Sequence, residues 1–258
     1  MIRIENINKR FRRLQVLENI SASFEKGQVV SLIGPNGSGK TTLIKSILGM
    51  VRPDSGKIYV DDQLITSDHT YREKIGYMPQ IGRYPDNMKV GQLFKMLQNI
   101  RNRPAEKSDR TLLEQFELEK IFEKPMRTLS GGTRQKVSAA VAFLFDPAIL
   151  ILDEPTAGLD PLSSEILKEK ILIEKKKNKL ILITSHILSD LDELTTDVMY
   201  LQEGKLQFFK DMEALQEETG EIKLGKAIAR IMRGDQFSID RVIQDNPQKE
   251  IKNDKEIY

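Results

Sequence analysis

The run Gly34-Pro35-Asn36-Gly37-Ser38-Gly39-Lys40-Thr41-Thr42, directly behind the apolar Val29-Val30-Ser31-Leu32-Ile33, constrains this chain more than any other feature. Glycines at this spacing turn the chain sharply, so that successive backbone N–H groups point inward at a phosphate. Lys40 then spans β- and γ-oxygens, and the Thr41 hydroxyl suits a coordination position on magnesium. Leu43, Ile44, Ile47 and Leu48 follow at helical spacing, so the predicted helix aims its positive N-terminal end at the same phosphates. An ordinary Gly-rich turn is the alternative, and the strand before and helix after weigh against it.

The 258 residues can bury a substantial core and fit one large domain or a domain with an inserted subdomain. With 40 basic and 38 acidic residues the net charge is +2, a balance that argues against nucleic acid as the main partner. Lys9, Arg10, Arg12 and Arg13 form a local basic cluster, read as a solvated face or, alternatively, a contact for acidic partners or lipid headgroups. Cysteine is absent, which excludes disulfides and thiolate metal sites and suits a reducing cytoplasm. No apolar run approaches the roughly 18 residues needed to span a bilayer. Met1-Ile2-Arg3-Ile4-Glu5 has no signal-peptide core. The expectation is a soluble polypeptide whose membrane work would need another subunit.

Short alternating strands (Ile2 to Ile7, Ile20 to Phe24, Lys57 to Val60) surround the central strand and suggest an antiparallel flap beside a parallel core. A strand at Ile75 to Met78 ends at Pro79-Gln80. Beyond it the pattern turns helical, with Val90, Leu93, Phe94, Leu97 and Ile100 in step, then Leu112, Leu113 and Phe116. A further helix starts at Ser130 and closes before Asp146-Pro147, because the residue ahead of proline resists the helical region. Alternation resumes with the strand Ile149 to Leu152, a helix from Pro161, the strand Leu180 to Thr184, a short helix through Leu188, Leu191 and Leu194, and a hairpin around Glu203-Gly204. Strands alternating with helices imply a parallel sheet covered on both faces. Lys175-Lys176-Lys177 suits the negative end of the preceding helix. The tail is more polar, with one amphipathic piece from Leu224 to Met232 and a stretch from Asp245 expected to be mobile.

Removing a γ-phosphate requires a metal, a positioned water and positive charge on the developing oxyanion. The strand ending at Leu152 delivers Asp153 at its carboxyl end, where open parallel sheets bind ligands. Asp153 would hold magnesium, and Glu154 would polarise the attacking water. Gln80 could offer its amide to water or metal, or simply be solvated at a strand end. His186, after another strand, could reach a γ-phosphate or be structural; His69 has no assigned role. Ser130-Gly131-Gly132 presents unhindered N–H groups at a second helix N-terminus. One chain does not need two such anion sites, so this helix is expected to bind nucleotide held by a different subunit.

In their order, Gly34 to Thr42, Gln80, Leu129-Ser130-Gly131-Gly132, Asp153-Glu154, Gly158-Leu159-Asp160 and His186 resemble the Walker A, Q-loop, signature, Walker B, D-loop and H-loop of ATP-binding-cassette (ABC) ATPases. The resemblance covers residues 2 to 210 and implies an α/β fold: a P-loop NTPase (RecA-like) parallel core with an antiparallel β flap and an inserted α-helical subdomain. On that basis residues 1–80 and 146–210 form the ATP-binding core with its flap, 81–145 the helical subdomain and 211–258 a C-terminal extension. The resemblance further implies ATP and Mg2+ as cofactors and a head-to-tail dimer, homomeric or with a paired ABC ATPase. Each ATP would touch Gly34, Pro35, Asn36, Gly37, Ser38, Gly39, Lys40, Thr41 and Thr42 of one subunit and Ser130, Gly131, Gly132 and Asp160 of the other. Lys40, Gln80, Glu154 and His186 would serve catalysis, and Thr41, Gln80 and Asp153 the metal. Phe11 takes the place of an adenine-stacking aromatic, with a core phenylalanine as the rival reading. Thr133 stands where glutamine usually follows the two glycines, which puts fine tuning of the signature in question.

The variant Leu129 to Lys136 resembles exporter-type ATPases, including those serving copper-site maturation of nitrous oxide reductase. The leading expectation is an ATPase on the inner face of the cell membrane, driving a separate membrane permease, with no nucleic-acid partner. Gly82 to Met88 would help form the groove for the permease, with Tyr84 and Met88 as apolar anchors or as packing of the insert. A soluble ABC-type ATPase in metal-cofactor assembly is the first rival. A nucleic-acid or ribosome-associated ATPase fits poorly, since such relatives carry two cassettes or a long coiled coil.

Overall fold

A computed structural model of the protein describes residues 1–65 and 69–233. The chain divides into two compact units, Met1–Met212 and Glu213–Tyr258. In chain order the first unit runs β1 (Ile2–Phe11), β2 (Leu14–Phe24), β3 (Val29–Ile33), α1 (Lys40–Ile47), β4 (Ser55–Val60), β5 (Gln63–Leu64) and β6 (Ile75–Met78). It continues with α2 (Val90–Ile100), α3 (Thr111–Gln115), α4 (Gly131–Phe143), β7 (Ile149–Asp153), α5 (Pro161–Lys176), β8 (Leu180–Thr184), β9 (Asp197–Gln202) and β10 (Lys205–Asp211).

The strands form two sheets. One has the order β2-β1-β4-β5 and is antiparallel, the flap expected from the alternating strands. The other has the order β10-β9-β3-β8-β7-β6, parallel throughout except for the β9–β10 hairpin at its edge. Every residue of β3, β7 and β8 is buried, as a parallel sheet covered on both faces requires. One core joins the sheets: Ile2, Ile4 and Phe24 of the flap pack with Leu43, Ile44 and Ile47 of α1 and with Val30 and Ile151 of the large sheet. Each such side chain contributes roughly 1.5–3 kcal/mol on leaving water.

The helical segment between β6 and β7 has its own apolar faces, Val90, Leu93 and Phe94 on α2 and Leu112 and Leu113 on α3. Phe94 and Phe122 meet at 5.8 Å between ring centroids. Helix α4 lies against β6 because Gly76 carries no side chain: a Cβ there would stand 2.1 Å from the Ala142 carbonyl oxygen.

Some expectations change. The helix expected through Leu188, Leu191 and Leu194 is only a short 3-10 turn at Leu188–Asp190. Its leucines pack as isolated anchors, with Leu191 and Leu194 buried, and the backbone between them runs into β9 before an α-helix can propagate. The lysines near the end of α5 do more than face its negative pole. Lys170, Lys177 and Lys179 converge on Glu174, a carboxylate only 1% exposed, while Lys170 also reaches Asp109 and Lys179 also reaches Asp146. Lys175 instead donates to the Leu194 carbonyl at 3.0 Å. In the basic cluster, Lys9 pairs with Asp54 at 2.8 Å.

The second unit contains most of α6 (Met212–Thr219) and a helical stretch over 224–233 that buries Leu224, Ala227 and Ile228, the amphipathic piece expected there. The segment from Asp245, expected to be mobile, lies outside the described residues. Among the described residues no helix is long and apolar enough to cross a membrane.

Candidate functional site

Strand β3 must end abruptly to make the phosphate loop. Gly34 allows it: φ is +152°, and a Cβ would stand 2.0 Å from the Leu201 carbonyl oxygen. Gly39 closes the loop at φ +104°, where a Cβ would stand 2.7 Å from the Val16 carbonyl oxygen, and its own carbonyl accepts the Leu43 N–H of α1. A side chain at either position would push apart the strands that hold the loop.

Above the loop lies a cavity of about 320 Å³, lined by residues 36–42 with Val16, Gln80, Asp153, Glu154 and His186. Four segments distant in sequence meet there because β3, β6, β7 and β8 are parallel and discharge their chains at one edge of the sheet; the fifth, Val16, comes from β2 of the flap. Lys40 Nζ donates to the carbonyls of Gly34 at 2.6 Å and Pro35 at 3.0 Å, so those two residues hold the lysine. Burial lowers the Lys40 pKa, and the Glu154 and Asp153 carboxylates act in the opposite direction. Tyr77, on β6, is pushed up to about 12 by burial and by the charge of Asp153.

The Asp153 carboxylate and the Glu154 backbone are held by Thr184, which ends β8 opposite Asp153 in the ladder. Its hydroxyl donates to Asp153 Oδ1 at 2.6 Å, and its Oγ1 and carbonyl oxygen accept the Glu154 N–H at 3.0 and 3.1 Å. Glu154 sits at φ +53°, a region that non-glycine residues rarely enter, and this conformation turns the chain at the strand end. Its Oε1 lies 2.7 Å from His186 Nε2.

The remaining expected residues lie elsewhere. Ser130 caps α4 and is exposed, with Gly131 and Gly132 opening the helix; none of them lines the cavity. Asp160 is also outside it. Its carboxylate caps α5 by accepting from the Ser163 N–H and hydroxyl, pairs with Lys136 at 2.8 Å, and is held well below the ordinary carboxylate range by Lys136 and then Ser163. Phe11, at the end of β1, is 47% exposed, which disfavours the core reading, and Lys9 Nζ stands 5.3 Å from its ring centroid.

Sequence reasoning missed Thr184, Val16 and Gln135. A lone threonine closing the apolar Leu180 to Ile183 run was the available signal for the first. Gln135 of α4 donates to the Glu154 carbonyl at 3.4 Å, and Gly132 lies so close to the Gly158 carbonyl that a Cβ would stand 2.7 Å from it. The helix that begins at Ser130 is thereby tied to the loop behind β7, a tie no local pattern announces.

Comparison with known proteins agrees with this geometry. Residues 17–157 match the family model described as ABC transporter. The Nod factor export ATP-binding protein I of Ralstonia nicotianae is 31% identical over 225 residues, covering 85% of this chain and 70% of that protein. The lantibiotic transport ATP-binding protein SrtF of Streptococcus pyogenes is 32% identical over 213 residues, covering 82% and 91%. Among solved structures, an ATP-binding subunit of an ABC transporter superposes with a TM-score of 0.83 at 26% identity, covering 90% of this chain and 99% of its own. A dimeric ATP-binding cassette bound to ADP and phosphate, at 23% identity and a TM-score of 0.73, shares the fold. With a phosphate loop, paired carboxylates and a histidine gathered on one sheet edge, and with these relatives, the chain belongs to the ABC transporter family, as one of its ATP-binding cassette ATPases.

Proposed function

We propose that two cassettes close head to tail around ATP and that the movement drives a separate membrane permease from the inner face of the cell membrane. The observation that carries this reading is the division of the site. The cavity gathers the phosphate loop, Gln80, Asp153, Glu154 and His186, whereas Ser130 and Gly131 stand exposed outside it, with Gly132 half-buried beside them. A helix N-terminus aimed at solvent suits a phosphate brought by another copy of the chain.

In this reading the N–H groups of residues 36–41 and Lys40 hold the β- and γ-phosphates, and the ring of Phe11 stacks on the base. The Thr41 hydroxyl, the Gln80 amide oxygen and the Asp153 carboxylate are hard oxygen donors around one cavity, a set that fits Mg2+. When bound, the ion neutralises charge on the phosphate oxygens. Glu154 accepts the proton of the water that attacks γ-phosphorus, while His186, donating from Nε2, fixes the rotamer of that carboxylate. Asp160 acts on the neighbouring copy through the loop it anchors.

The permease would dock beside Gln80. A second cavity of about 320 Å³ is lined by Ile81, Arg83, Tyr84, Asp86, Met126 and Arg134, together with Gly82. Arg134 Nε is buried there without a hydrogen-bond partner, which suits a carboxylate on the incoming helix. Tyr84 donates to or accepts from Ser138 at 2.9 Å and so forms a wall of this groove; Ile81, 67% exposed, is the better apolar anchor. Export is the direction favoured, since one relative is named for Nod factor export. Tagged protein drawn from detergent-solubilised membranes is expected to bring down an integral membrane protein. Recovery of soluble partners alone would favour cofactor assembly instead.

A further inference from the structure

A serine hydroxyl has one proton to give and two lone pairs to fill. At the start of α4, the Thr133 N–H donates to Ser130 Oγ at 3.2 Å, the ordinary capping bond, which uses one lone pair. The Thr133 hydroxyl lies 2.8 Å from the same oxygen. A threonine inside a helix usually turns its hydroxyl to a carbonyl three or four residues back. Here it lies at Ser130 Oγ instead, while the Ser130 carbonyl accepts the Arg134 N–H at 2.9 Å and the Leu129 carbonyl accepts the Arg134 guanidinium at 3.3 Å.

We infer that Thr133 is a positioning residue for Ser130, its hydroxyl donating to Ser130 Oγ so that the serine proton is the one valence left, pointing outward to a phosphate held by a second copy of this chain. The assignment rests on the head-to-tail reading above. The reverse direction would turn the serine proton back onto the helix and leave Ser130 Oγ a single lone pair facing an anionic oxygen, which is repulsive. Phosphate oxygens accept hydrogen bonds and cannot donate when ionised, so their approach selects the arrangement in which threonine donates. The β-branched side chain holds its hydroxyl in place at little rotamer cost. A chain with this threonine therefore orients its capping serine from within the same helical turn.

Valine at 133 keeps the shape and the N–H cap, which still fills one staggered position on Ser130 Oγ, but leaves the serine proton two others, a loss of about twofold per site. A dimer closes two sites, so the effect on dimerisation is about fourfold. The test uses the full chain with Glu154→Gln, which stalls turnover, and measures dimer dissociation by sedimentation at saturating ATP and Mg2+. Adding Thr133→Val is expected to weaken the dimer about fourfold, while Thr133→Ser returns it to about the parent value. Melting temperatures should match across the series, because the cap is retained; a merely structural role would lower the valine variant's. A valine variant that dimerises as tightly as the parent, or a serine variant as weak as valine, overturns the assignment. A parent that stays monomeric with ATP overturns the head-to-tail reading and this assignment with it, and is told apart because then no member of the series associates.

Discussion

His186 Nε2 stands 2.7 Å from Glu154 Oε1, joining the second residue beyond β8 to the first beyond β7 across the mouth of the phosphate cavity. The contact depends on the unusual backbone of Glu154 at φ +53° and on Thr184, which holds the Glu154 N–H from the same strand that leads to His186. Two parallel neighbours thus present a carboxylate and an imidazole to one point.

Glu154→Gln is expected to bind ATP with affinity near that of the parent while phosphate release falls about 10²- to 10⁴-fold, the usual range for losing a general base. ATP should then accumulate a dimer on gel filtration. Turnover within tenfold of the parent would remove Glu154 from the role assigned to it.

Replacing His186 by alanine leaves Glu154 in place but free to rotate. Catalysis should fall by about 10²-fold, the scale of a small misplacement of a reacting group. Nucleotide affinity should hardly change, so the loss belongs in kcat. A loss confined to KM would mean that His186 contacts the ground-state nucleotide instead.

Phe11→Ala should weaken ATP binding by about 1–3 kcal/mol, the range for one base stacked on an aromatic ring. Phe11→Tyr should restore it. Equal binding of ATP by all three, followed by titration calorimetry, would return Phe11 to an incidental exposed position.

Gly39→Ala forces a side chain into a backbone at φ +104° and against the Val16 carbonyl. The conformational strain alone costs about 1–3 kcal/mol, so the melting temperature should drop. Because the loop must move to relieve the clash, ATP binding should be lost even where the protein remains folded. Gly131 has open space at its Cβ position, and Gly131→Ala should leave the fold intact.

Burial raises the Glu174 carboxyl, but hydrogen bonds from Lys170, Lys179 and Lys177 outweigh it and leave its pKa below the ordinary value. Asp109 behaves likewise: burial raises it, and the bonds from Lys170 and Thr111 prevail. A carboxylate with a lowered folded pKa stabilises the protein fully above its unfolded value, near pH 4.3, and loses that contribution as the pH falls through the folded one. Stability should therefore decline on acidification below about pH 4.3, and Glu174→Ala should cost about 3 kcal/mol at neutral pH by removing the carboxylate that three lysines share and leaving the buried Lys170 only Asp109. The chain has 0 tryptophans, so unfolding is best followed by circular dichroism. A Glu174→Ala variant with parental stability and an unchanged acid limb would show that the cluster contributes nothing.

The phosphate loop, the strand into Asp153 and Glu154, and the cap at Ser130 were legible in sequence because each is local. Glycines at fixed offsets turn a chain, an apolar run buries itself, and a serine before two glycines starts a helix, whatever lies around them. The alternation of strand and helix then settles that the sheet is parallel, and a parallel sheet places its functional residues at one edge. Tertiary structure alone decided which residues steady that edge. Thr184, Gln135 and the lysines around Glu174 act on partners 31, 19 and as few as 3 positions away, respectively. Apart from the apolar run that Thr184 closes, nothing in their own neighbourhoods distinguishes them from solvated polar residues, because a hydrogen bond between strands or a buried ion pair exists only after the chain has closed.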